Sequence, residues 1–71
     1  MEVKDRKLIV TEAEYMDMLY NEASDSGGSA DSCIDTIYRY LQREAKFLHV
    51  QLDSPTIPQD VMDKFDEYCA D

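Results

Sequence analysis

The side chains best suited to chemistry in this 71-residue chain are a single histidine, two cysteines, and scattered serines and acids. His49 has no nearby set of cysteine and histidine residues of the kind that binds zinc, so it indicates no metal site. No serine or cysteine has a partner histidine and acid in an arrangement typical of nucleophilic catalysis. Paired carboxylates such as Asp60 and Asp63 are ordinary on a solvated helix face. We therefore expect no enzymatic activity, no metal and no cofactor.

Oxygen-bearing side chains between Asp25 and Asp35 have the composition of a calcium-binding loop but not its order. Counted from Asp25, the sixth residue is Ala30 where an EF-hand loop needs glycine, and the twelfth is Thr36 where it needs glutamate. The segment therefore predicts a polar connector and no specific calcium site.

The two cysteines belong to the second and third predicted helices. Cys33 is near the start of the second predicted helix and Cys69 is at the end of the third, so antiparallel packing would bring the thiols close together. A disulfide is one alternative, but we favour reduced cysteines because cytosolic thiols are kept reduced.

Capping residues and apolar periodicity predict three helices, at about 12–23, 30–50 and 58–69. Thr11 followed by Glu14 has the spacing of a capping box, and Val10 and Tyr15 have that of a hydrophobic staple. Ser29 is placed to cap the second helix. These elements predict a single all-α domain over residues 1–71, a small antiparallel three-helix bundle with the N-terminal segment packed alongside.

The segment "KFLHVQL" at 46–52 has a second interpretation. It could form a strand that pairs with "KLIV" at 7–10. We favour the helix, because the helical spacing of Leu41, Ala45, Leu48 and Leu52 continues through the segment.

The charge balance restricts the partners that this chain is expected to bind. Sixteen acidic and seven basic residues give a net charge of −9, which repels nucleic acid and anionic membranes and attracts basic proteins. The run Leu8–Val10 is too short for a signal peptide or a membrane span. We expect a cytoplasmic protein that binds neither membranes nor nucleic acid directly.

The stretch "ADSCID" around Ser32 resembles the Asp-Ser-Leu motif of acyl carrier proteins. The resemblance implies that Ser32 would carry phosphopantetheine at the start of a helix. Cys33 replaces the apolar leucine of that motif, however, and Arg39, Arg43 and Lys46 make the following helix basic. The loop before the motif is also shorter than in that family.

A second resemblance involves the beginning of the chain. "MEVK" at 1–4 and "TEAEY" at 11–15, with six residues between them, resemble the start of the colicin- and pyocin-type DNase immunity proteins. The likeness extends through about residue 45. It returns at "DSP" (53–55), and Phe65 is spaced like the tryptophan of that family's last helix.

This second resemblance implies a small acidic all-α inhibitor that binds a basic surface beside the active site of a nuclease toxin. Partner specificity in that family comes from the second helix, and the matching positions are Ala30, Cys33, Ile34, Ile37, Tyr38 and Leu41. The apolar spacing of these residues equally predicts core packing. The family's Asp-x-x-Tyr-Tyr helix has no counterpart in this chain.

The first hypothesis is therefore a non-enzymatic inhibitor that binds a basic partner protein, most concretely a nuclease toxin. Acidic residues of the first two helices would steer the association, namely Glu12, Glu14, Asp17, Glu22, Asp31 and Asp35. One alternative is a phage- or plasmid-encoded DNA mimic that inhibits a host defence or DNA-binding protein, and another is the carrier protein modified at Ser32. The apolar face of the second helix is also compatible with a homodimer.

Overall fold

A computed structural model of the chain describes residues 1–54 and 56–70. Strands β1 (Glu2–Lys4) and β2 (Lys7–Ile9) precede helices α1 (Glu12–Ser26) and α2 (Ala30–Phe47). Strand β3 (Gln51–Leu52) and helix α3 (Gln59–Ala70) follow. The prediction of an all-α three-helix bundle is therefore wrong, because a small mixed sheet accompanies the three helices.

The first two strands form a hairpin with a two-residue loop. Val3 pairs with Leu8 and Lys4 with Lys7 in an antiparallel register. The loop residues Asp5 and Arg6 have φ values of 53° and 61°, as the turns that match strand twist require. No glycine occurs in this loop and each strand has only three residues, so neither turn chemistry nor alternation in the sequence indicates the hairpin.

The α2 helix ends three residues before the predicted residue 50. His49 adopts a left-handed conformation with φ of 58°, and the Val50 amide donates to the Ala45 carbonyl at 2.9 Å. This geometry closes the last helical turn, and it usually uses glycine. Since His49 occupies this position, the glycine that would mark a helix end is missing from the sequence. The apolar spacing that continues to Leu52 therefore predicts a longer helix.

The third strand pairs in parallel with β2, with Lys7 beside Gln51 and Leu8 beside Leu52. The Gln51 amide donates to the Arg6 carbonyl at 3.1 Å, and the Asp53 amide donates to the Leu8 carbonyl at 3.0 Å. The less favoured interpretation, in which 46–52 contributes a strand that pairs with "KLIV", is therefore correct for residues 51–52.

The predicted helix starts are confirmed. Thr11 and Glu14 form the capping box, with the Glu14 amide donating to Thr11 Oγ1 at 3.2 Å and the Thr11 amide donating to Glu14 Oε1 at 3.0 Å. Ser29 caps α2 by accepting from the Ser32 amide at 3.2 Å. The α1 helix continues to Ser26, three residues beyond the predicted end, and stops at Gly27 with φ of 63°.

The three helices share one apolar core. Its most deeply buried large side chains are Leu19 from α1, Leu41 from α2, and Val61 and Phe65 from α3. Among the described residues no charged side chain is buried, and none of their helices is long and apolar enough to cross a bilayer. Of the "DSP" stretch, Pro55 lies outside the described residues.

The capping box generates a stability prediction. We expect Thr11→Ala to lower the free energy of unfolding by about 1 kcal/mol, because the Glu14 amide loses its acceptor at the start of α1. Urea denaturation followed by circular dichroism measures the change. Thr11→Ser retains the hydroxyl and should cost much less, so an equal loss in the two variants would contradict the capping role.

Candidate protein-binding groove

A groove between α2 and α3 brings several of the predicted binding residues together. One α2 face with helical spacing forms one wall, and residues of α3 and the preceding loop form the other. The cavity has a volume of about 280 Å³. Its lining includes Asp31, Ile34, Asp35, Tyr38, Ile57 and Met62.

The groove combines a buried apolar floor with walls that solvent reaches. Ile57 is buried and forms part of the core, whereas Ile34, Tyr38 and Met62 are half-buried and pack against that core. Half-buried apolar side chains can be covered further by a partner while the helices stay in place. The groove can therefore accept an apolar side chain, or the aliphatic stem of a lysine or arginine.

Two carboxylates lie at the rim of this apolar surface. Asp31 and Asp35 are both exposed, one helical turn apart on α2. Asp35 forms a surface ion pair with Arg39, whose Nε lies 3.1 Å from Asp35 Oδ2. Exposed pairs of this spacing contribute only about 0.3–0.5 kcal/mol, so a partner cation can replace Arg39 at little cost.

The six α2 residues that the immunity-protein resemblance selects fall into two groups. Cys33, Ile37 and Leu41 are buried in the core, although Ile37 also lines the cavity between α1 and α2. The other three, Ala30, Ile34 and Tyr38, are half-buried, and Ile34 and Tyr38 line the groove. Both groups have apolar helical spacing, so the sequence does not indicate which one faces the core.

The six predicted steering acids are also distributed over different surfaces. Only Asp31 and Asp35 reach the groove. Glu12 forms an ion pair with Lys64 of α3, and Glu14 pairs with the terminal ammonium of Met1 in addition to its role in the capping box. The remaining two, Asp17 and Glu22, lie on α1, and Glu22 lines a different cavity, between α1 and α2.

Sequence reasoning missed the residues that complete the groove and a second apolar surface. Ile57 and Met62 were assigned no role in binding. Tyr20 of α1 and Tyr68 of α3 contact each other in a tilted arrangement with their ring centroids 4.5 Å apart, and they are 40% and 53% exposed. These residues are distant in the chain, and only the packing of α3 against the other helices brings them together.

The candidates for other chemistry stay isolated from one another. Ser32 is exposed in the first turn of α2, where the carrier-protein resemblance would require it. His49 is exposed after the end of α2 and lines a cavity with Arg6 and Lys7. Within residues 1–54 and 56–70, no cluster of three histidine, cysteine or acidic side chains is arranged to hold a metal ion.

The two cysteines are free thiols in different environments. Cys33 is buried and Cys69 is exposed. Partial desolvation, with smaller contributions from the nearby charges of Cys33 and Asp66, raises the pKa of the Cys69 thiol. Less of this thiol is ionised at mildly alkaline pH than in an unperturbed cysteine, and the thiolate is the reactive form.

Comparisons with family models, with curated proteins and with solved structures each gave no match to this chain. The likeness to DNase immunity proteins therefore depends on the quoted sequence motifs alone.

The division of α2 into core and groove residues generates a second stability prediction. We expect Leu41→Ala to lower the free energy of unfolding by about 2–5 kcal/mol, because it leaves a cavity in a packed core. Ile34→Ala removes a half-buried side chain of equal size and should cost clearly less. Chemical denaturation of both variants measures the difference, and equal losses would contradict this division.

Thiol reactivity provides a third prediction. In the native protein we expect one thiol, that of Cys69, to react with Ellman's reagent, and more slowly than free cysteine at the same pH because its pKa is raised. Cys33 should react only after unfolding. Cys69→Ser should abolish the native-state reaction, and the absence of any reactive thiol before reduction would indicate a disulfide instead.

Proposed function

We propose that this chain is a small non-enzymatic inhibitor that binds a basic surface of a partner protein through the α2–α3 groove. The observation that carries the proposal is the convergence of Ile34 and Tyr38 with the carboxylates of Asp31 and Asp35 at one cavity. Tyrosine at the centre of an apolar contact is a common source of binding energy in interfaces. Acidic residues at the rim select a basic partner.

In the proposed complex the two kinds of residue have different roles. A lysine or arginine of the partner would lay its aliphatic stem on Ile34 and Met62 and direct its charge towards Asp31 or Asp35. The net charge of −9 would accelerate the encounter at low ionic strength. Affinity would then depend mainly on the apolar contact, and association rate mainly on the charge.

The most concrete form of this proposal is an immunity protein for a nuclease toxin. The support for it is the likeness of residues 1–45 to DNase immunity proteins, together with the acidity of the chain. A nuclease is also a basic partner, because it must bind polyanionic DNA. An acidic protein held beside the active site would exclude DNA by charge and bulk. Because the Asp-x-x-Tyr-Tyr helix is missing, the contact would depend on α2 and the groove.

A DNA-mimic inhibitor of a DNA-binding or host-defence protein is the second candidate. The observation that favours it is a series of exposed acids along α3, at Asp60, Asp63, Asp66 and Glu67. In this case affinity would come from many carboxylates distributed over the surface. The groove residues would contribute little.

Binding to purified DNase domains of the colicin and pyocin class, with DNA cleavage as a parallel readout, tests the proposal. We expect at least one domain to be bound and inhibited. Tyr38→Ala should weaken that binding by about 2 kcal/mol, or about 30-fold in Kd. If no domain binds at low salt, the nuclease-inhibitor proposal is wrong.

A pair of double variants separates the two candidate functions. Asp31→Asn with Asp35→Asn removes two charges at the groove, and Asp63→Asn with Asp66→Asn removes two exposed charges on α3. We expect the groove variant to slow association and weaken binding clearly more than the α3 variant does. Equal effects of the two variants, together with an unaffected Tyr38→Ala, would favour the DNA mimic.

A further inference from the structure

The positive charges of this acidic protein are concentrated at the end formed by the sheet and the last turns of α2. Five of the seven lysine and arginine residues belong to residues 1–9 and 43–52. We call these residues the basic end: Lys4, Arg6, Lys7, Arg43 and Lys46, with His49 among them.

Backbone pairing holds these distant segments together. Lys4 and Lys7 are cross-strand partners in the hairpin, and the Arg6 carbonyl accepts from the Gln51 amide at 3.1 Å. As a result, Arg6, Lys7 and His49 line one open cavity of about 370 Å³, to which Asp5 of the same loop contributes the one acidic side chain. The basic end is therefore a product of the β2–β3 pairing and the left-handed turn at His49.

An aromatic ring is exposed among these charges. Phe47, the last residue of α2, is 77% exposed, more than any other large hydrophobic residue of the described chain. It follows Lys46 directly and lies one helical turn after Arg43. Leaving such a ring in water gains nothing for folding, since hydrophobic stabilisation comes from burial.

Local charge at the basic end differs in sign from the charge of the rest of the chain. Five cations and three acids (Glu2, Asp5 and Glu44) give these segments a net charge of +2, which leaves −11 for the remaining residues. The molecule is 39 Å long, whereas charges are screened over about 8 Å at physiological ionic strength. A ligand at the basic end is therefore shielded from most of the distant acids.

We propose that the basic end binds single-stranded nucleic acid. The lysine and arginine side chains would contact successive phosphates, and the Phe47 ring would stack on a base. Cationic grooves combined with exposed aromatic rings are the usual means by which proteins bind single strands without sequence preference. An acidic peptide could pair with the cations, but it has no planar base on which the Phe47 ring could stack. The exposed Phe47 therefore favours nucleic acid as the ligand.

This proposal uses different residues from the α2–α3 groove, and either one can fail alone. It departs from the expectation that the net charge suggests, because net charge describes the distant field and not the contact surface. The overall charge of −9 opposes binding of a long duplex lying along the protein. It does not exclude a short strand that touches only the basic end.

Fluorescence anisotropy with a labelled oligothymidylate of about ten nucleotides, a length within the usual range of single-strand sites, tests the proposal at low salt. We expect Arg43→Ala with Lys46→Ala to weaken binding at least about 10-fold and to reduce the salt dependence. Phe47→Leu keeps an apolar side chain but removes the ring, and should weaken binding about 5-fold or more.

Arg39→Ala with Lys64→Ala is the matched control, because it removes the same charge from outside the basic end and should change binding less than about 2-fold. All of these side chains are exposed, and circular dichroism verifies that each variant is folded. Absence of oligonucleotide binding at low salt would overturn the proposal. Binding that Phe47→Leu leaves unchanged, or that polyglutamate matches, would also overturn it and indicate an acidic protein partner.

Discussion

The structure depends on the burial of one face of α2. This helix packs against α1, α3 and β3, and its residues Cys33, Ile37 and Leu41 lie in the core beside Leu19 and Phe65. A core this small has no other central element, so the choice of buried face decides what the chain leaves exposed. The choice places Ile34 and Tyr38 at the margin of the core, where α3 and the loop before it complete a groove.

The second constraint is the backbone pairing of strand β2, which precedes α1, with strand β3, which follows α2. The hairpin precedes α1, and β3 follows α2, so the parallel contact of β2 with β3 closes one end of the molecule. Parallel strands need a long connection, and the two helices provide it. The same contact gathers cationic side chains that are more than thirty residues apart in the chain. Helix packing thus forms the α2–α3 groove and strand pairing forms the basic end, so this small protein has two chemically different surfaces.

The two surfaces suit partners of opposite charge. The α2–α3 groove joins an apolar floor to carboxylates, which suits a basic protein, whereas the basic end joins cations to an exposed ring, which suits an anionic strand. A protein that inhibits a nucleic-acid enzyme meets both kinds of molecule. The acids that make up most of the net charge are distributed over all three helices, so the long-range field of the molecule does not depend on one site.

Local chemistry made the helix starts predictable. Thr11 with Glu14 and Ser29 with Ser32 satisfy amides only three residues away, so the amino-acid types at that spacing are sufficient. The apolar spacing of α3 was equally informative, and its observed limits differ by one residue from the prediction. The absence of buried charge among the described residues likewise agrees with a chain whose acids fit solvated helix faces.

What the sequence by itself determined is therefore the set of helices, their caps and the acidity. Only the tertiary structure decided the sheet, because strands of two or three residues have no measurable periodicity and are stable only when paired. Tertiary packing also decided which stripe of α2 is core, since Ile34 and Ile37 have the same chemistry and differ only in what faces them. The groove and the basic end therefore depend on the tertiary structure, because each is formed by residues that are far apart in the sequence.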